Sequence, residues 1–140
     1  MRSMHDEIEV KVAIPVTRQT NSSSAIVSSI IDLAGYNECE FAAVTGGLTD
    51  ADATFAVTLD EGDAANLSDA VAVTAADKLG GGTLAAAGFT FAADNATRKL
   101  AYTGVKRYVR MTITPTSNDA GNCDIAVVAI LRGAQKQPTP

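Results

Sequence analysis

The sequence predicts a single all-β domain, either a β-sandwich or a jelly-roll-like barrel. Apolar and polar residues alternate with period 2 in several segments, as they do in half-buried strands. About eight to ten such segments are separated by turn-forming residues, which is the spacing of a sandwich or small barrel. The chain is 46% hydrophobic but only 5% aromatic, and its many Val and Thr residues favour pleated sheets.

The length of 140 residues suits one domain with one core. We place this domain at residues 8–133. Residues 1–7 and 134–140 are polar and lack apolar anchors, so we predict an N-terminal and a C-terminal arm. Pro138 and Pro140 have a fixed φ, which lowers the entropy lost when an arm docks on a partner. We therefore include both prolines among the predicted contact residues.

Two long strands near the C-terminus are the clearest elements. Tyr108–Thr114 alternates apolar and polar residues, and the polar segment Ser117–Asn122 forms a turn by composition. The next strand, Cys123–Leu131, is apolar on both faces, and such a strand needs cover on both faces. One cover is expected to be another subunit. We therefore predict subunit or capsid contacts at Ala126, Val128 and Ile130, and a core of Val109, Met111, Ile113, Ile125, Val127, Phe55, Val57 and Leu59.

The rest of the chain alternates less regularly. Further strands are predicted at Glu7–Val16, Ser24–Leu33, Cys39–Val44, Thr54–Asp60 and Ala70–Val73. Ser24–Leu33 fits both helical and strand spacing, and its β-branched residues favour the strand. Gly46-Gly47 is predicted as a turn, as is the acidic segment Glu61–Asp69. Ala75–Ala87 has room for one helical turn before the glycines 80–82, which neither a helix nor a strand accommodates at low cost.

The net charge of −5 argues against nucleic-acid binding, which needs a basic surface. Lys106, Arg107 and Arg110 form a basic cluster with Lys99. Two interpretations remain open for the cluster: a solvated strand face, and a contact with an acidic partner surface.

Few residues are candidates for chemistry. The single histidine, His5, lies in the predicted arm, whereas a catalytic base needs a fixed position. Nucleophile-elbow, HExxH, CxxC and Walker patterns are absent from the sequence. The acids of the 61–69 turn and its flank do not match the EF-hand spacing and are interpreted as a solvated turn. We predict no catalysis, no cofactor and no metal site; the metal candidates considered are Asp60, Glu61, Asp63 and Asp69.

Two cysteines, Cys39 and Cys123, are too few for a disulfide framework. The N-terminal sequence MRSMHDEIEV contains no apolar segment of a signal peptide. We therefore expect synthesis in a reducing bacterial cytoplasm and free thiols. Whether the two cysteines are neighbours is left open.

Two sequence blocks carry a resemblance to a known family. YTGVKRYVRMTITPT followed by VVAILRG, and DATFAVTLDEGDAANLSDAVAVTAADKLGG, resemble segments of small structural proteins of tailed phages and prophages, encoded near the major capsid protein. The resemblance runs from about Phe41 to Gly133. Gly62 stands where the family usually has Ser, and Leu67 stands where Trp or Phe is frequent.

The resemblance implies a capsid decoration (cement) protein. Such a protein binds the outside of the phage head and stabilises contacts between subunits of the major capsid protein. It also implies a homotrimer, with a dimer as the second choice. Two other functions remain open: a neck or tail component of the virion, and a carbohydrate-binding β-sandwich module.

Overall fold

The computed structural model describes residues 3–135, which form two antiparallel sheets packed face to face. The predicted all-β sandwich is confirmed. The strands are β1 (Ile8–Thr20), β2 (Ile26–Val27), β3 (Ile31–Asp32), β4 (Glu38–Leu48), β5 (Thr54–Gly62), β6 (Val71–Ala72), β7 (Phe89–Thr90), β8 (Thr97–Tyr102), β9 (Tyr108–Thr116) and β10 (Asn122–Arg132). Helical turns lie at Met4–Glu7, Ala76–Lys78 and Leu84–Ala87. No helix within residues 3–135 is long and apolar enough to cross a membrane.

The first sheet has four strands in the order β1–β10–β4–β8. The second sheet is built on the central pair β5–β9. The short strands β2 and β3 pair with β9, and β6 and β7 pair with β5. The last long strand of the chain, β10, thus lies in the middle of the first sheet.

Alternate residues of both sheets point into one apolar core. Phe41 and Tyr102 are among its largest fully buried side chains, and the rings of Phe55 and Phe89 stack with their centroids 4.7 Å apart. All eight core residues predicted from the alternation are buried. The period-2 pattern therefore identified the inward faces of β5, β9 and β10 correctly.

The segment 24–33 forms two short strands, so the prediction of one continuous strand is wrong. The Ser28 backbone N–H donates to the Met111 carbonyl in the second sheet, at 2.9 Å. The next N–H, of Ser29, donates to the Ala13 carbonyl in the first sheet, also at 2.9 Å. The segment thus leaves β9 at Ser29 to reach β1 and returns to β9 at Ile31, and this detour interrupts the strand.

Gly46 and Gly47 lie inside β4, so the predicted turn is also wrong. The Asp124 side chain of the neighbouring strand lies directly over Gly46. A Cβ atom on Gly46 would stand 2.9 Å from the Asp124 Cβ. The first glycine therefore provides space for a neighbouring side chain rather than a change of chain direction.

Two helical turns replace the one expected in 75–87, one on each side of the three glycines. Met4–Glu7, within the predicted N-terminal arm, is a helical turn in which the Ser3 hydroxyl accepts a hydrogen bond from the His5 N–H at 3.0 Å. In the predicted C-terminal arm, the Gln135 N–H donates to the Gly35 carbonyl at 2.9 Å. The remaining residues of the arms, 1–2 and 136–140, lie outside the described residues.

Candidate interaction surface

The predicted contact residues Ala126, Val128 and Ile130 lie on the outer face of the first sheet. All three are partly exposed, and they alternate along β10 with buried residues. The other side of β10, including Ile125 and Val127, contributes to the core. The structure thus places this trio where a partner has access to it. The other two predicted contacts, at positions 138 and 140, lie outside the described residues.

The neighbouring strands extend this surface. On β1, Val10 pairs with Ile130 and Val12 with Val128; on β4, Ala42 pairs with Val128 and Val44 with Ala126. Val10 is 55%, Val12 62% and Val44 53% exposed. We refer to the whole surface as the outer apolar face, formed by Val10, Val12, Ala42, Val44, Ala126, Val128 and Ile130.

Sequence reasoning did not assign the β1 and β4 residues to this surface. The alternation of Val10 and Val12 with Glu9 and Lys11 predicts a strand but does not identify its inward face. In the structure Glu9 and Lys11 point to the core side, where Tyr36 covers them: its hydroxyl donates to Glu9, and the Lys11 ammonium lies 6.0 Å from the ring centroid. The valines therefore point outward.

Ion pairs bound the outer apolar face at both ends of β10. Arg18 donates two hydrogen bonds of 2.7 Å to the Asp124 carboxylate. This pairing holds the pKa of Asp124 below its ordinary value. At the other end, Arg132 lies 3.6 Å from Glu38. Along β10 the face is therefore apolar in its middle and carries charges of both signs at its ends. On the side of β4 and β8, Glu40 opposite Ile130 and Lys99 opposite Ala42 add further charges.

The predicted basic contacts lie elsewhere, on the second sheet and in the loop before β9. Each of the three cations has an acidic partner in the chain: Lys106 pairs with Asp63, Arg107 with Asp32 through two bonds of 2.9 Å, and Arg110 with Asp60 at 3.3 Å. The Arg107 guanidinium lowers the pKa of Asp32. The basic group and the apolar trio therefore belong to different surfaces.

Glu61, predicted in a solvated acidic turn, is instead buried and only 4% exposed. Its carboxylate accepts hydrogen bonds from Lys78 and Tyr102. Burial raises the pKa of Glu61, but these two donors outweigh burial and hold the pKa below its ordinary value. Burial and the same carboxylate raise the pKa of Tyr102. Glu61 therefore joins β5 to β8 and to the turn at 76–78.

Asp69 is engaged with the backbone of its own turn. It accepts hydrogen bonds from the N–H groups of Asp63 at 2.8 Å and Ala64 at 3.1 Å. These bonds lower the pKa of Asp69. Within residues 3–135, no three His, Cys, Asp or Glu side chains are grouped so as to hold a metal ion.

The two cysteines are buried free thiols at opposite ends of the β4–β10 ladder. Cys39 is opposite Leu131, and Cys123 is opposite Leu48. Burial raises the pKa of Cys39 to about 12 and that of Cys123 to about 11. They are not neighbours, which answers the question that the sequence left open.

No family model matches the chain, and no curated protein matches it. Among solved structures, the chain is similar to the PBSX exported protein XepA, with a TM-score of 0.50 and 13% identity. The match covers 94% of this chain and 39% of XepA. The chain thus spans about two fifths of that protein.

Two further structures have lower TM-scores. A Clostridium thermocellum xylanase 10B structure, containing CBM22-1 and GH10 modules with xylohexaose, gives 0.48 at 14% identity, covering 94% of this chain and 27% of the xylanase. An expanded equine rhinitis A virus capsid gives 0.40 at 11% identity, covering 94% and 76%. At such low identity, the comparison with XepA shows a shared β-sandwich fold.

Proposed function

We propose that this protein is a non-enzymatic capsid decoration protein, which binds the exterior of a phage head and stabilises contacts between major capsid protein subunits. The outer apolar face carries the proposal, because it gives the chain a surface for a protein partner, either a capsid subunit or a second copy of the chain. Three valines more than half exposed adjoin Ala126, Val128 and Ile130 on one sheet. Contiguous apolar surface of this kind marks protein–protein contact sites.

The proposed mechanism depends on contact area. A rigid sandwich that spans the boundary between capsid subunits binds the assembled shell but not the separate subunits. Such binding stabilises the assembled form by mass action. The resemblance of the segment from about Phe41 to Gly133 to small phage structural proteins encoded near the major capsid protein supports the head as the partner. The same resemblance supports the virion exterior as the protein's location.

The observed aromatic side chains give no support to the carbohydrate-binding alternative. Within residues 3–135 Phe91, at 41% exposure, is the most exposed aromatic residue. Aromatic side chains are typical of small-molecule and sugar pockets, and one isolated ring does not form a platform. A neck or tail position remains the second virion role to test.

The test is sedimentation with heads. Empty heads assembled from the major capsid protein of the same genome are mixed with the purified chain and pelleted. We expect the chain to pellet at a saturating, fixed ratio and to raise the temperature at which the heads come apart. A chain that stays in the supernatant, or that pellets only with tails, would contradict the proposal.

A further inference from the structure

The outer residues of β10 form a pattern that is complementary to itself. In order they are Asp124, Ala126, Val128, Ile130 and Arg132. Val128 is in the middle, a small and a large apolar residue flank it, and opposite charges close the two ends. We propose that a second copy of the chain covers the outer apolar face about a twofold axis that crosses β10 at Val128.

In this arrangement each outward residue of β10 meets a favourable partner on β10 of the second copy. In a twofold packing with the axis perpendicular to the strands, β10 of one copy runs antiparallel to β10 of the other. Residues equally far from Val128 on either side then oppose each other. Ala126 faces Ile130 of the second copy, so a small side chain meets a large one. Asp124 faces Arg132 of the second copy, so opposite charges meet at both ends.

The dimensions of packed sheets permit these contacts. Packed sheets lie about 10 Å apart with an angle of about 30° between their strands. Four residues from the axis, at about 3.3 Å per residue, this angle displaces opposed residues sideways by about 7 Å. The Arg132 side chain is long enough to span that displacement. It already lies beside Glu38, so each end of the interface contains charges of both signs.

Neighbouring strands widen the contact at the axis. Val12 and Ala42 flank Val128 in one row across β1, β10 and β4. Val10 extends the apolar area along β1, whereas on β4 the twofold sets Val44 against Glu40 of the second copy. A second copy would remove all of these side chains from water at once.

The face of β1, rather than its free edge, is suited to this partner. Pro15 has no N–H to donate, and the register with β10 shifts between Val12 and Ile14 and again between Ile14 and Thr17. Glu9 and Lys11 place charges on the core side of the same strand. These are the features by which edge strands resist pairing with another chain. Extension of the sheet through β1 is therefore blocked, whereas its outer face is open.

A twofold dimer is the second of the two stoichiometries that the sequence left open. A threefold assembly uses two different patches and gains nothing from a patch that complements itself. The dimer rests on the proposed function only in assigning this face to a protein partner. Because the second copy then occupies the outer apolar face, capsid subunits would contact the second sheet of each copy, which points away from the interface.

Charge reversal tests the axis directly. Sedimentation equilibrium at micromolar concentration should give a dimer for the unaltered chain. Arg132→Glu places two acids in contact at each end, and Asp124→Arg places two arginines there. Each variant alone should dimerise roughly 100-fold more weakly. An equal mixture of the two should recover the dimer, because each reversed residue then meets an opposite charge. A monomeric or trimeric unaltered chain, or no recovery on mixing, would overturn the proposal.

A second pair of variants covers the case in which Asp124→Arg unfolds after losing its Arg18 partner. Val128→Asp puts two carboxylates on the axis and should give a folded monomer by circular dichroism. Thr114→Asp, on the outer face of the second sheet, is the matched control and should remain dimeric. A dimeric Val128→Asp chain would contradict the inference.

The dimer and the proposed function can fail separately. A monomeric unaltered chain that still pellets with heads would contradict the dimer and leave the decoration proposal standing. A dimer that fails to pellet with heads would contradict the decoration proposal and leave the dimer standing.

Discussion

The Tyr102 hydroxyl donates a hydrogen bond to the Glu61 carboxylate inside the sandwich. The same oxygen accepts a hydrogen bond from the Lys106 backbone N–H at 3.1 Å. Tyr102→Phe removes both bonds without changing the ring, and we expect the free energy of unfolding to fall by about 1.5–3 kcal/mol. Urea denaturation measures the change. The control Tyr108→Phe alters a partly exposed tyrosine and should cost less than about 0.5 kcal/mol; equal losses would contradict this assignment.

Glu61 should make the free energy of unfolding depend on pH in the acidic range. Its pKa in the folded protein lies below its ordinary value of 4.5. The ionised Glu61 carboxylate therefore stabilises the folded protein when the pH is above this ordinary pKa. This stabilisation is lost as the pH falls through the pKa of the folded protein. Glu61→Gln should lower the free energy of unfolding by about 2–3 kcal/mol at neutral pH. This is less than the loss on breaking a fully buried ion pair, because the Lys78 side chain is one-third exposed.

Urea denaturation of both chains at neutral pH and near pH 3 tests the sign. The difference between Glu61→Gln and the unaltered chain should shrink as the pH falls, because protonation converts Glu61 to the neutral form that glutamine resembles. The control Asp60→Asn breaks a more exposed pair with Arg110 and should cost below about 1 kcal/mol. A difference that grows in acid would show that the sign is wrong.

Two adjacent glycines should respond differently to the same substitution. A Cβ on Gly46 would lie 2.9 Å from the Asp124 Cβ, whereas one on Gly47 would lie 3.7 Å from a carboxylate oxygen. Gly46→Ala should therefore lower the free energy of unfolding by about 1–3 kcal/mol through overpacking. Gly47→Ala should change it by about 0.5 kcal/mol or less. Thermal melting of the pair is the measurement, and identical melting temperatures would rule out the close contact.

The cysteines should be inert until the protein unfolds. Both thiols are buried and both pKa values are raised, so little thiolate is exposed to a reagent. A disulfide-exchange reagent at mildly alkaline pH should modify neither thiol in native buffer and both in concentrated urea. Native modification of either thiol within minutes would contradict the described burial.

The strands that the sequence predicted best are long. Tyr108–Thr116 and Asn122–Arg132 alternate apolar and polar or outward residues over their length, and the burial of their side chains follows that alternation. Gly46 was misinterpreted because turn composition carries no information about Asp124, which is distant in the sequence. Glu61 was misinterpreted for the same reason, since Lys78 and Tyr102 determine its environment.

The candidate surface could be predicted only in part. Ala126, Val128 and Ile130 were identified because β10 is apolar on both faces. Val10 and Val12 were not, because a strand at the edge of a sandwich can turn its charged residues toward the core when a side chain such as Tyr36 covers them. No local pattern in the sequence distinguishes that orientation from its opposite.

The position of β10 has a consequence for biosynthesis. It follows every other described strand along the chain, yet within residues 3–135 it is the only strand that pairs with β1. The first sheet therefore cannot close until residues 122–132 have left the ribosome. Pairing of Ile8 with Arg132 joins the two ends of the domain, and such distant contacts form slowly. Nascent chains expose the open edges of β1 and β4 in the meantime, which favours aggregation during rapid overproduction.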